Sequence, residues 1–137
     1  MLENYATQIQ KTIELAMEIE TCRNKIDPSS IPKQISDFEK FEKTEAVKIL
    51  NSHIDKLEKY LKTLSLEELK VIKVVMYIGR DYKNNNLPPV KKYEIERKYW
   101  DKKGCKSKDL EIQTLLEKRP LLKYLQSGCE LLQINLN

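Results

Sequence analysis

One histidine, three glycines, three cysteines and one tryptophan are scattered through 137 residues, and each scarcity removes a class of protein. A single imidazole excludes multi-histidine metal sites and histidine relays. Three glycines and five prolines exclude collagen-like, linker-like and turn-rich β architectures. Cys22, Cys105 and Cys129 are odd in number, far apart and free of any C-x-x-C spacing, so neither a zinc site nor a thioredoxin-type motif is indicated. Unpaired thiols fit a reducing cytosol. The longest apolar run, Val74 to Ile78, is far short of the ~18 residues that span a bilayer, and no basic-then-apolar leader opens the chain. The expectation is a cytoplasmic protein with no membrane segment, no signal peptide, no metal and no cofactor.

What is present suits a folded domain. Charged residues are 34% and hydrophobic residues 40%, too apolar for a wholly disordered chain. A compact chain of 16.2 kDa should expose roughly 7,400 Å² against roughly 23,500 Å² unfolded, which leaves a core that needs no disulfide or metal. The net charge of +4 conceals an asymmetry. Residues 1–70 sum to −2 and residues 71–137 to +6, which favours an anionic partner for the second half.

Periodicity is helical throughout. Leu2, Tyr5, Ile9, Ile13 and Ala16, with Leu15, Ile19, Cys22 and Ile26 on an adjacent stripe, predict a first helix over residues 2–26. Pro28 and Pro32 end it. The second helix opens at Ser36, where Glu39 would complete a capping box, or at Thr44. Val47, Leu50, Ile54, Leu57, Leu61 and Leu64 then form an apolar seam of under three heptads. That is too short for a sustained coiled coil, so an antiparallel hairpin with the first helix is favoured over a homodimer. Ser65 and Glu68 form the strongest local signal, a capping box that opens a third helix to about Arg80, apolar nearly all round and therefore central. Residues 81–89 read as a loop. A fourth helix covers about 90–103 with Gly104 as its cap, Ser107 caps a fifth, and Pro120 starts or kinks a last one. Val75, Met76, Leu122 and Leu125 are the predicted core of the third and last helices. The cysteines Cys22 and Cys129 fall in apolar patterns and are expected to be buried.

Residues 64–132 carry a further pattern. It comprises Leu64-Ser65-Leu66-Glu67-Glu68-Leu69, Tyr77-Ile78-Gly79-Arg80-Asp81, Leu115-Leu116, Pro120-Leu121-Leu122 and Tyr124-Leu125 with Gly128 behind. It resembles a family of short bacterial proteins known only as a domain of unknown function, whose helix ends in W/Y-I/L-G-R-G-D and is followed later by P-L-L and Y-L. The second glycine of G-R-G-D has no counterpart here, and P-L-L stands one residue closer to Y-L. The resemblance covers about half the chain. It implies a small, helical, bacterial protein, brings no activity, and draws attention to Arg80 as a buried structural organiser.

Candidate chemistry is sparse. His53 lies beside Leu50, Ile54 and Leu57 with no nucleophile or acid partner indicated, and reads as a partly exposed structural residue. Glu67 and Glu68 point about 100° apart on a helix, so they read as N-terminal acids facing the dipole rather than as an acid/base pair. Cys105, with Lys102, Lys103, Lys106 and Lys108 around it, is expected to be the most reactive thiol because cations favour the thiolate. No catalytic residue is assigned.

Residues 90–108 carry the most functional content. Val90, Tyr93, Arg97 and Trp100 share one helical sector, expected to face the core, and Ile95 and Tyr99 share the opposite one. Lys91, Lys98 and Lys102 flank the outer sector on one side, Lys92 and Lys103 on the other. Lysines around an aromatic and an aliphatic residue suit a protein interface, a nucleic-acid surface, or a plain solvated face. The reading is an all-α fold of five or six helices, with a long N-terminal hairpin (residues 1–63) on a compact C-terminal group (64–137), cooperating as one domain. The expected role is non-enzymatic protein binding, of the immunity or antitoxin type with a toxin as partner. A nucleic-acid-binding regulator using the basic face is the alternative.

Overall fold

A computed structural model describes residues 2–105 and 107–136. Among them 77% are helical and none is in a strand. The α-helices are α1 (Ala6–Asn24), α2 (Phe38–Glu42), α3 (Glu45–Lys62), α4 (Leu66–Asp81), α5 (Pro89–Lys103), α6 (Lys108–Glu117) and α7 (Leu121–Leu131). The expected five or six become seven, because the stretch after Ser36 forms a separate five-residue helix. Lys43 closes that helix, and Thr44 turns extended (ψ 151°) to become the N-cap of α3.

The helices begin and end where short-range chemistry directs. Ser65 Oγ accepts from the Glu68 amide at 3.1 Å while Glu68 Oε1 accepts from the Ser65 amide at 2.9 Å, completing the capping box of α4. Ser107 Oγ accepts from the Leu110 amide at 3.1 Å and opens α6. Gly104, at φ 77° and ψ 169°, terminates α5 in a backbone region that few other residues enter. Asp27 accepts from the Ser29 amide and turns the chain out of α1.

Helix α1 lies antiparallel to α3. Lys25 and Ile26 at its end share a depression with Thr44 and Ala46 at the start of α3, and Glu18 meets His53 and Lys56 farther along. The core between and beneath them includes Ile9, Leu15, Leu57 and Leu61. Helix α4 sits at the centre, touching α1, α5, α6 and α7, and residues 71–79 are buried without a break. Its closest neighbour is α7. A β-carbon on Gly79 would strike the Tyr124 carbonyl and come within 2.6 Å of the Gly128 amide nitrogen, and one on Gly128 would strike the Val75 carbonyl. Two backbones therefore meet directly, which only glycine permits.

Three core expectations need correction. Leu125, Val75 and Met76 are fully buried, but Leu122 is only half-buried, because the inward position of that turn is taken by Leu121. Cys129 is buried, whereas Cys22 is half-buried near the end of α1. The chain exposes 8759 Å², above the roughly 7,400 Å² expected for a compact chain of this mass. Residues 27–44 account for much of the excess: nearly all are exposed, including Ile31, Ile35 and Phe38.

Candidate functional site

Helix α5 carries few apolar residues and docks through polar and aromatic ones. Pro89 starts it at a position where a missing amide costs nothing. Lys92 and Glu96 are its buried residues, with Tyr93, Arg97 and Trp100 half-buried. Tyr93, Arg97 and Trp100 thus lie on the inner side as expected, but the helix is turned part-way: Lys92 leaves the basic face and is buried, while Val90 leaves the core side and is exposed. Glu96 explains the turn. Trp100 Nε1 donates to Glu96 Oε1 at 3.0 Å and Tyr82 OH donates to Glu96 Oε2 at 2.9 Å, so this carboxylate must face α4 and the loop behind it. Burial, then the bond to Glu96, pushes the Tyr82 hydroxyl up to about 12.

The Trp100 ring stacks on Tyr77 of α4, with centroids 4.7 Å apart, and Lys73 Nζ lies 4.1 Å from its centroid. Lys73 in turn pairs with Glu111 of α6 at 2.7 Å, the two side chains only 5% and 8% exposed. This buried ion pair ties α4, α5 and α6 around one indole. On the outer edge Arg97 forks onto Glu67 at 2.7 and 2.8 Å and reaches Asp101 at 3.0 Å, while Lys70 also meets Asp101 at 3.5 Å. The Arg97 bonds hold Glu67 below the usual carboxylate range.

The outer surface of α5 matches much of the expectation. Ile95 and Tyr99, one turn apart, are each 48% exposed. Tyr99 sets its edge against Trp100 (87° between planes), and Lys103 Nζ lies 5.1 Å from the Tyr99 centroid. Lys91 pairs with Glu94 at 3.3 Å. Lys98 and Lys102 have no ion-pair partner among the described residues. The structure thus brings Lys91, Ile95, Lys98, Tyr99, Lys102 and Lys103 to one surface and removes Lys92 from it. Lys118, from the connection between α6 and α7, approaches the Tyr77 ring of α4 at 5.2 Å. No local pattern signals Lys118, since its contact is made across 41 positions of sequence.

Arg80 is not a buried organiser. It is exposed, forks onto its neighbour Asp81 at 2.8 and 3.0 Å, and covers Tyr77 at 4.6 Å. The organising cation is Lys73, and the close helix contact belongs to Gly79. Cys105 also departs from expectation. Burial and a bond to Glu111 push its thiol up, against the weaker pull of Lys73 and Lys70. Its sequence neighbours are directed elsewhere: Lys103 over Tyr99, and Lys108 donating to the Lys62 carbonyl at 2.7 Å. Lys106, also expected beside the thiol, lies outside the described residues.

The remaining candidates are engaged in holding the fold. Glu67 serves Arg97, and Glu68 serves the α4 cap. His53 Nδ1 lies 3.3 Å from Glu18, which Lys56 also meets at 3.3 Å. Among the described residues no cluster of three or more His, Cys, Asp or Glu is placed to hold a metal ion, and no helix is long and apolar enough to cross a membrane. No protein-family model, curated protein or solved structure matches the chain.

Proposed function

We propose that this chain is a non-enzymatic bacterial protein-binding protein, of the kind that neutralises a toxin or serves as its immunity partner, acting in the cytoplasm. The observation that carries the reading is the exposed Ile95–Tyr99 pair on α5, 48% exposed at each residue and bordered by Lys91, Lys98, Lys102 and Lys103. An aromatic and an aliphatic anchor inside a polar rim is the layout of a protein interface. The underside of α5 is fastened by Glu96, Arg97 and Trp100, which offers a partner a rigid surface. The absence of a catalytic role in this reading rests on how the acids are used: Glu67, Glu68 and Glu111 each hold a structural partner. The bacterial setting is carried by the resemblance of residues 64–132.

A nucleic-acid-binding regulator is the second reading, favoured by the uncompensated Lys98 and Lys102 beside an exposed tyrosine. Capture from the source cell tests both, with wild type and an Ile95→Ala/Tyr99→Ala variant in parallel. The proposed function predicts a nuclease-resistant protein partner that the variant loses while remaining folded. A partner retained equally by the variant, or recovery of salt-labile nucleic acid alone, overturns it.

A further inference from the structure

The arrangement of charge around Tyr99 goes further and assigns a chemistry to the partner. Some lysines are matched to an acid, as Lys56 is to Glu18, Lys70 to Asp101, Lys73 to Glu111 and Lys91 to Glu94. Three around Tyr99, and Lys118 beyond Tyr77, are not. Lys98 and Lys102 project on one side of the ring, and Lys103 lies over its other side, 5.1 Å from the centroid. Lys118 approaches Tyr77, which is stacked on Trp100, the ring that Tyr99 meets at a right angle. None of the four has a carboxylate partner among the described residues. Lys103 and Lys118 are held by ring faces rather than by acids, so their charges stay available to an outside group.

The lysines of α5 therefore flank Tyr99 on both sides, Lys98 and Lys102 on one and Lys103 on the other. Three like charges around one ring raise the local potential, and carboxylates laid between them relieve the repulsion. The exposed Ile95 beside Tyr99 gives this surface an apolar floor that phosphates would leave unused, which favours protein over nucleic acid. We infer that the α5 surface takes an acidic protein segment crossing the helix at Tyr99, with an apolar side chain set on Ile95 and Tyr99 and carboxylates on both sides. This rests on the protein-binding reading above and names the partner's chemistry.

Trp100, the sole tryptophan, touches Tyr99 and so reports occupancy through its fluorescence. The full chain is titrated with three labelled probes. One is a peptide with a central Phe flanked by Asp and Glu, one is the same peptide with Asn and Gln, and one is a single-stranded oligonucleotide of equal charge. The acidic peptide alone should bind, shift Trp100 emission, and weaken roughly tenfold between ~50 and ~500 mM salt. Lys102→Gln/Lys103→Gln should weaken it several-fold, while Lys48→Gln on α3 leaves it unchanged. Equal binding of the uncharged peptide overturns the acidic partner while leaving the apolar anchors and the protein-binding reading intact. Binding of the oligonucleotide in place of the peptide overturns both. Failure of all three probes overturns the inference, and the capture experiment above then decides the broader reading separately.

Discussion

Gly79 and Gly128 face each other across α4 and α7 so closely that neither position has room for a β-carbon. The consequence for mutation has an informative sign. Inside a helix, alanine is ordinarily favoured over glycine by roughly 1 kcal/mol. Here Gly79→Ala or Gly128→Ala must push two backbones apart. Each should destabilise the protein by at least about 1–3 kcal/mol in urea unfolding, outweighing the gain in propensity. A stabilised Gly79→Ala protein would show that the helices do not meet as described.

Packing depth separates two adjacent leucine sites. Leu125 is fully buried, so Leu125→Ala should cost about 2–5 kcal/mol. Leu122 is half-buried, and Leu122→Ala should cost clearly less. The two midpoints measured side by side check the orientation of α7.

The Lys73–Glu111 pair predicts a non-additive cycle. Lys73→Met leaves a buried carboxylate without its cation and should cost about 3–5 kcal/mol, as should Glu111→Leu alone. The double variant should recover most of the loss, since neither charge is then stranded. Additive losses would place the two charges in water rather than in the core.

Alkali should loosen the α4–α5 junction. The folded Tyr82 hydroxyl is pushed up to about 12, above its ordinary value of 10.0. The unfolded chain loses that proton first, so the stabilisation is complete below about pH 10 and fades as pH rises toward 12. Tyr82→Phe should flatten the decline in stability over that interval. An unchanged slope would mean that the hydroxyl is not held by Glu96.

Thiol labelling at neutral pH should find Cys105 slower than a free cysteine, because burial and Glu111 both favour its protonated form. Cys129, buried and pushed up to about 11, should react only on unfolding. Rapid labelling of Cys105 in the folded protein would contradict its placement beside Glu111.

The parts of the fold that were legible in the sequence are those set by neighbours within a few positions. Ser65 and Glu68, Ser107, Gly104 and the apolar run of α4 all act over one helical turn, and each landed where read. The orientation of α5 was legible in part: Tyr93 and Trp100 pack against the core as read, but Glu96 faces inward for the sake of Tyr82, fourteen positions away, as well as Trp100. Arg97 likewise finds Glu67 thirty positions earlier, and Lys73 finds Glu111 in a different helix. Apolar periodicity places a helix face only where apolar side chains do the packing. In α5 the packing is done by hydrogen bonds and ring contacts, so Val90 looked inward and Lys92 outward. Ile95 and Tyr99 were read correctly because they lie opposite whichever of these residues is buried.

The fastening of α5 also bears on how such a protein diversifies. Every group that anchors the helix, from Glu96 and Trp100 to Arg97, lies on its inner or lateral side. Positions 95, 98, 99 and 102 contribute little to that attachment and are exposed. Selection can therefore rewrite those four letters while the scaffold beneath keeps its stability. A lineage with this architecture would tolerate substitution on one ridge of one helix and hold its inner and lateral sides nearly constant.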